Sequence, residues 1–164
     1  MFAQSVPVFS HFLAALSGVL AKAEAHCEAQ GIKPEALLTF RLYPDMFPLT
    51  KQVQLATDFA TRAADRLTGR EIRGFADTET SFAELRARID SAREYLGGFT
   101  SAEFDGAATR VIKITLRSGD MQMAGSAFLE TYAKPQFFFH MTTAYDILRH
   151  NGVVLGKRNF MGAA

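Results

Sequence analysis

The sequence predicts an all-α protein: an antiparallel four-helix bundle with a short β-hairpin before the last helix. Three observations predict it. Apolar residues recur at intervals of three and four in four long segments, which is typical of amphipathic helices. Proline and glycine bound these segments. One further segment alternates apolar and polar residues, as a strand does. Four such helices close naturally as a bundle, so we expect a single domain over residues 1–164.

The first two long helices are bounded by glycine and proline. The apolar spacing predicts a helix over residues 6–30, and Gly31 suits a left-handed stop after it. A proline-rich linker follows, with room for a short helical turn at 34–39. The second helix should begin near Pro48 and end at Gly69. Its alanine-rich seam allows a neighbouring helix to approach closely.

A capping box marks the third helix. The Ser81 hydroxyl can accept a hydrogen bond from a free N–H of the first turn, while Glu84 reaches back, and glycines at 97–98 end the helix. Alternation in the segment 110–123 then predicts a β-hairpin, with the turn at Ser118-Gly119-Asp120.

The fourth helix should be capped by Ser126 and run to about residue 150. Pro135 lies inside this pattern, so we expect a kink or a restart there. The tail carries apolar residues that should pack back on the body: Val153, Val154, Leu155 and Phe160.

Composition excludes several classes of function. A formal net charge of +1 gives no broad field for nucleic acid or anionic lipid, so neither is expected as a partner. The sequence has no run of about 18 unbroken apolar residues, so no membrane span is expected. The single cysteine, Cys27, excludes an intramolecular disulfide and favours a cytoplasmic location. Nucleotide-binding glycine motifs and the GxSxG motif are absent from the sequence.

His140 is the most informative residue. At 100° per residue it shares the apolar stripe of the fourth helix with Phe137, Ala144 and Ile147. Because burying an imidazole without partners costs free energy, three environments stay open: a hydrogen bond across the bundle, a metal ion, or a cleft. Ala144 stands four residues on, so the HxxxH pair that places two imidazoles on one helical face is missing.

Three other residues are candidates for a pocket with His140. Gln52 lies near the start of the second helix, where it can face His140 across the core or serve as a boundary residue. Asp45 precedes that helix and is either an ionised pocket group or a turn residue. Tyr145 is the third candidate. His11 and His26 are further donors that no spacing ties to His140.

The fourth helix also carries surplus aromatic residues. Phe138, Phe139 and Tyr145 point away from the predicted core. Either the hairpin and tail cover them or a second subunit does, and the second alternative predicts a homodimer.

Three segments carry a family resemblance: RLYPDMFPLTKQVQLA at 41–56, TSFAELRARI at 80–89 and FFFHMTTAYDILRHNGVVLGKR at 137–158. With them the chain resembles a bacterial domain-of-unknown-function family within the DinB/YfiT-like superfamily, whose members are proposed to be metalloenzymes. The resemblance implies a four-helix bundle, frequent dimers and often a metal site of three histidines. One of those histidines comes from the second helix and two come from an HxxxH motif on the fourth.

Carried over to this chain, His140 matches the first histidine of that motif and Ala144 stands at the second. The region of the helix-two histidine holds Gln52, Gln54 and Leu55. We therefore predict an uncharacterised DinB-like protein whose pocket around His140 lacks the full three-histidine site and either binds a small-molecule ligand or serves a structural role. One alternative is a metal-dependent enzyme of hydrolase or thiol transferase type, with His140 as one ligand of zinc, nickel, iron or manganese. The other is a dimeric protein-interaction module.

Overall fold

The computed structural model describes residues 1–116 and 119–163 and is mostly helical. The helices are α1 (Val6–Gln30), α2 (Pro34–Leu38), α3 (Leu49–Thr68), α4 (Phe82–Gly97), α5 (Gly125–Phe128), α6 (Lys134–His150) and α7 (Lys157–Phe160). The strands β1 (Val111–Leu116) and β2 (Gly119–Ala124) form a small antiparallel sheet. A π-helical turn, Leu129–Ala133, joins α5 to α6.

The capping residues in the sequence correctly predicted ends of the first three long helices. Gly31 and Gly69 end α1 and α3 with φ values of 65° and 80°, a left-handed conformation that favours glycine. At the start of α4, the backbone N–H of Glu84 donates to Ser81 Oγ at 3.1 Å, and the backbone N–H of Ser81 donates to Glu84 Oε2 at 3.1 Å. Each of these signals depends on residues within one turn, so the sequence alone identifies them.

The core forms where α3 packs along α6 and α1 packs along α4, with α3 also against α4. Four helices each contribute one completely buried phenylalanine: Phe9, Phe82, Phe128 and Phe137. The rings of Phe9 and Phe137 meet edge to face, with centroids 5.0 Å apart. Because α3 is covered on both sides, the polar side chains it turns inward must find partners inside the protein.

The hairpin exists, but its turn differs from the prediction. Gly119 pairs with Leu116 and Asp120 pairs with Thr115, so both belong to β2 and the prediction of a turn at these two residues is wrong. The third predicted turn residue, Ser118, lies outside the described residues. Gly119 and Asp120 belong to the ladder because their backbone groups pair across the hairpin, although both residue types are common in turns.

The start of the last long helix also corrects the prediction. Ser126 does not cap it: Ala124 precedes the first turn, and the backbone N–H of Ser126 donates to the Ala108 carbonyl at 3.0 Å. Pro135 lies in the first turn of α6, directly after the π-helical turn, so the predicted restart is confirmed. Proline lacks an N–H, and the widened turn accommodates that missing bond.

The tail packs back only in part. Val153 and Leu155 are buried, whereas Val154 is 81% exposed, so its predicted packing is wrong. Phe160 lies against Phe12 and Tyr145. An extended segment alternates its side chains between two sides, which turns Val154 outward.

The segment Phe2–Gln30 is long and apolar enough to cross a membrane by length and composition alone. Its large apolar side chains lie on the core face of α1, and they include Phe9, Leu13, Leu16 and Leu20. Core packing accounts for part of this composition, because 44% of the apolar window is buried inside the protein.

Gly125→Ala should destabilise the junction between the hairpin and the last long helix. A Cβ at this position would lie 2.0 Å from the Ala107 carbonyl oxygen, so the backbone must shift. We expect the free energy of unfolding in urea to fall by about 2 kcal/mol. Gly18→Ala is the matched control: nothing lies within 4 Å of its added Cβ on α1, and it should gain about 0.5–1 kcal/mol. Equal stability of the two variants would contradict the clash.

Candidate ligand-binding site

His140 and Gln52 form a buried pair between α6 and α3. Their side chains meet through His140 Nδ1 and Gln52 Oε1, 2.8 Å apart, and the residues are 6% and 1% exposed. Gln52 Nε2 donates to the Phe47 carbonyl at 3.0 Å. Since a carbonyl can only accept, this bond orients the amide and turns its oxygen toward His140. The Nδ1 atom of His140 must therefore carry a proton and donate it to Gln52.

This arrangement leaves His140 Nε2 with a lone pair. Among the described residues Nε2 has no hydrogen-bond partner, and it is not one of the fully buried atoms that lack one, so it retains contact with solvent. Burial lowers the pKa of His140 to about 4, so the ring is neutral at pH 7. The site thus presents a neutral, fixed hydrogen-bond acceptor.

Aromatic rings surround this acceptor. Phe59 of α3 stacks on the imidazole at a centroid distance of 5.5 Å, and Phe139 meets it edge-on at 5.3 Å. Tyr132 lies on Phe59 with centroids 6.2 Å apart. An open depression of about 250 Å³ adjoins these rings and is lined by Thr131, Tyr132, Pro135, Gln136 and Phe139.

A second buried polar cluster lies on the opposite side of α3, around Arg88 of α4. This residue is 4% exposed, and its guanidinium donates to Thr57 Oγ1 at 2.7 Å, Asp58 Oδ1 at 2.8 Å and Glu79 Oε1 at 3.0 Å. Desolvation raises the pKa of Asp58, against the opposing effect of Arg62 and Arg88. We missed this cluster in the sequence, although Arg88 lies three residues after Leu85 and within the apolar stripe of its helix.

The Arg88 cluster anchors the irregular segment between α3 and α4. Arg88 Nη1 donates to the Ala76 carbonyl at 2.9 Å, and Gln54 Nε2 donates to Glu79 Oε2 at 2.8 Å. Gln54 therefore belongs to this structural cluster and not to the His140 pair.

The other predicted pocket residues lie elsewhere. Asp45 is exposed in the linker before α3, and no contact joins it to His140 within the described chain. Tyr145 packs against Phe160, with ring centroids 5.8 Å apart, on another side of α6. The structure therefore brings Gln52 to His140 but leaves Asp45 and Tyr145 away from it. For Tyr145 the sequence held the signal, because its helical angle already pointed away from His140.

Comparison with known proteins identifies the family. The family model described as domain of unknown function (DUF1993) matches residues 1–161. The chain belongs to the DUF1993 family. The crystal structure of a DinB family member protein from Shewanella denitrificans is similar to this DUF1993 protein over 99% of this chain and 92% of that chain. The two sequences are 42% identical, and the TM-score is 0.92. The family resemblance seen in the sequence is confirmed. No curated protein is similar enough to count as a match.

The residues of this DUF1993 protein do not fit a three-histidine metal site. In residues 1–116 and 119–163 no group of three or more His, Cys, Asp or Glu side chains could hold a metal ion. Ala144 supplies no donor one turn beyond His140, and Gln52 uses its amide oxygen for the imidazole. A hydrogen-bonded amide therefore faces the histidine where a metal ligand would be needed.

The exposed aromatics of α6 are largely covered by the DUF1993 protein itself. Phe138 lies against Phe12 at 4.9 Å between centroids, and Tyr145 is covered by Phe160. Phe139 stays 56% exposed beside His140. Self-packing thus explains two of the three residues that suggested a second subunit, and the homodimer stays a prediction.

A larger cavity, of about 480 Å³, lies at the start of α3, beside Pro48 and Thr50. Two of its polar residues are engaged within the protein: the Thr50 hydroxyl donates to the Leu38 carbonyl, and Glu79 accepts from Gln54 and Arg88. The depression beside Phe139 is smaller, but His140 next to that ring offers a neutral acceptor without a partner among the described residues, which makes this the better candidate for ligand binding.

Proposed function

We propose that this DUF1993 protein binds a small molecule at His140, in a pocket organised by a hydrogen bond instead of a metal ion. The ligand would place a hydrogen-bond donor on His140 Nε2 and an apolar or aromatic group against Phe59 and Phe139. The observation that carries the proposal is the Phe47–Gln52–His140 chain of hydrogen bonds, which fixes the tautomer and leaves one ring nitrogen available.

We also assign the four long helices to an antiparallel four-helix bundle. Contacts made by α3 support this assignment. Gln52 contacts His140 on α6, whereas Phe59, two turns later on α3, also contacts Tyr132, which lies about two turns before His140 in the π-helical turn that precedes α6. The site then lies between two facing helices, a common position for ligand sites in bundles.

Phenol is a suitable probe, because it joins an aromatic ring to one hydroxyl donor. In ¹⁵N spectra at pH 7, His140 should show a protonated Nδ1 and an unprotonated Nε2, and phenol should shift the Nε2 resonance. His140→Gln should abolish phenol binding. The control His150→Gln changes an exposed histidine on the same helix and should leave binding intact. A protonated Nε2, or phenol binding that survives His140→Gln, would contradict the proposal.

Metal analysis separates this proposal from the metal-dependent alternative. Protein purified without an affinity-tag metal should hold far less than one equivalent of zinc, nickel, iron or manganese. Near-stoichiometric metal that disappears in His140→Ala would overturn the proposal and favour the metal-dependent enzyme.

A further inference from the structure

Two arginines lie one turn apart on α3, on the strip of surface between the His140 pair and the Arg88 cluster. At 100° per residue, Arg62 and Arg66 fall angularly between Asp58 on one side and Phe59 on the other. Both are half-buried. They therefore adjoin the aromatic surroundings of His140, and Arg62 also reaches the Arg88 cluster through Asp58.

The hydrogen-bonding capacity of these arginines is not met by the protein. Arg62 Nη2 pairs with Asp58 Oδ2 at 2.8 Å, but Arg62 Nε is buried without a hydrogen-bond partner among residues 1–116 and 119–163. Asp58 is also shared with Arg88. Within the described part of the chain, Arg66 has no hydrogen-bond or ion-pair partner. Asp58 thus pairs with both Arg62 and Arg88, while a third arginine, Arg66, lies beside them.

Asp65, the neighbouring carboxylate on α3, forms no ion pair with Arg66 among the described residues, because both of its oxygens are engaged elsewhere. Asp65 Oδ1 accepts from the Tyr95 hydroxyl at 2.7 Å, and Asp65 Oδ2 accepts from the backbone N–H of Arg73 at 2.9 Å. Burial lowers the pKa of Arg66, Arg62 lowers it further, and Tyr132 and Asp65 act in the opposite direction. Arg66 still remains cationic at neutral pH because a free guanidinium titrates so high.

An unmatched arginine alone would not indicate a site. Arg86 on α4 also has a buried Nε without a partner among the described residues, yet it faces the carboxylate of Glu24. What distinguishes the α3 pair is two adjacent guanidiniums with unused donors, one of which lies close to Tyr132 at the edge of the open depression. Paired guanidinium forks of this kind match the oxygens of a carboxylate or phosphate.

The pair lies at a useful distance from His140. Phe59, which stacks on His140, precedes Arg66 by seven residues, or about 10 Å along the helix axis. Tyr132 contacts Phe59 and lies close to Arg66, so it marks the far end of the same surface. A small aromatic molecule can span the region from the imidazole, over Phe59, to the arginines.

We propose that Arg62 and Arg66 bind the anionic group, a carboxylate or phosphate, of an aromatic ligand whose hydrogen-bond donor meets His140 Nε2. This deepens the proposed function and rests on it for the donor end of the ligand. The anion end rests on the arginines alone, so the two ends can be tested separately.

Three probes test the two ends of the proposed ligand separately. Phenol carries only the hydrogen-bond donor, inorganic phosphate carries only the anion, and 4-hydroxybenzoate carries both. Calorimetric titration of the full chain should show 4-hydroxybenzoate binding about tenfold more tightly than phenol, because a charge-assisted hydrogen bond is added. Arg66→Gln should abolish this difference and phosphate binding but leave phenol binding unchanged. Arg66→Lys should keep part of the difference, since the charge remains but the planar fork is lost.

The matched control is Arg149→Gln, which removes one exposed positive charge from α6 and should preserve the tenfold difference. Phosphate binding that depends on Arg66, without any binding of phenol, would support the anion site while refuting the role of His140. Equal affinities for phenol and 4-hydroxybenzoate, together with no phosphate binding, would overturn the anion site. A difference that Arg149→Gln also abolishes would overturn it too, because general charge would then explain it.

Discussion

Arg88→Met should lower the free energy of unfolding by about 3–5 kcal/mol at pH 7.5, the largest effect we expect from a single substitution in this protein. Arg88 lies 4% exposed and donates to Asp58, Glu79 and Thr57. Methionine fills part of the volume but leaves two nearly buried carboxylates without their shared cation. Removing one member of a buried ion cluster is costly because the remaining charges lose compensation: Asp58 keeps only the half-buried Arg62, and Glu79 keeps only the neutral amide of Gln54. Urea denaturation measures the loss.

The pH dependence of that loss distinguishes charge from packing. Arg88 helps to lower the pKa of Asp58, against desolvation, so its removal should raise that pKa further. The folded variant then takes up protons at a higher pH than its unfolded chain does, and its deficit relative to wild type should shrink between pH 7.5 and pH 5. A deficit that stays constant over this range would point to lost packing.

Arg86→Met is the matched control on the same helix. Its side chain is 42% exposed and lies 3.5 Å from Glu24, which is also exposed. An exposed pair of this kind contributes about 1 kcal/mol or less. A loss in Arg88→Met no larger than in Arg86→Met would refute the structural importance of the buried cluster.

The sequence predicted the parts of this molecule that depend on near neighbours. The ends of α1, α3 and α4 follow from Gly31, Gly69 and the Ser81–Glu84 box, each of which acts within one turn. The burial of His140 follows from its place in a helical stripe, and its hydrogen bond to Gln52 confirms that the two helices face each other there. Periodicity identifies the inward face of a helix, but it left Gln52 open between a position facing His140 and a boundary position.

The sequence did not predict features that depend on distant backbone. The hairpin turn was misplaced because Gly119 and Asp120, good turn residues, are taken into the ladder by Leu116 and Thr115. The Arg88 cluster joins α3, α4 and the segment between them, and no spacing within a single helix reveals such a meeting. The pair Arg62 and Arg66 was not predicted for the same reason. The lack of a hydrogen-bond partner can be recognised only when the positions of all neighbouring residues are known.

Acidification should destabilise the wild-type protein more than a variant that lacks the imidazole of His140. Burial lowers the folded-state pKa of this histidine to about 4, whereas an unfolded histidine titrates near 6.5. Between these values the unfolded chain binds the extra proton and the folded protein does not. Stability due to this group is therefore complete above about pH 7 and is lost as the pH falls through 6.5 toward 4. From pH 7.5 to 4.5 the loss amounts to about 2.5 kcal/mol.

His140→Gln isolates this contribution. Glutamine can still donate to Gln52 Oε1 but does not titrate, and the carboxylates that respond to acid are common to both proteins. Urea unfolding at half-unit steps from pH 7.5 to 4.5 should therefore show the free-energy gap between wild type and variant changing by about 2.5 kcal/mol in favour of the variant. Parallel profiles would mean that His140 takes up its proton in the folded state as easily as in the unfolded chain. The ring would then be open to water and cationic at mildly acidic pH, and it could not act as the fixed neutral acceptor on which ligand binding is proposed to depend.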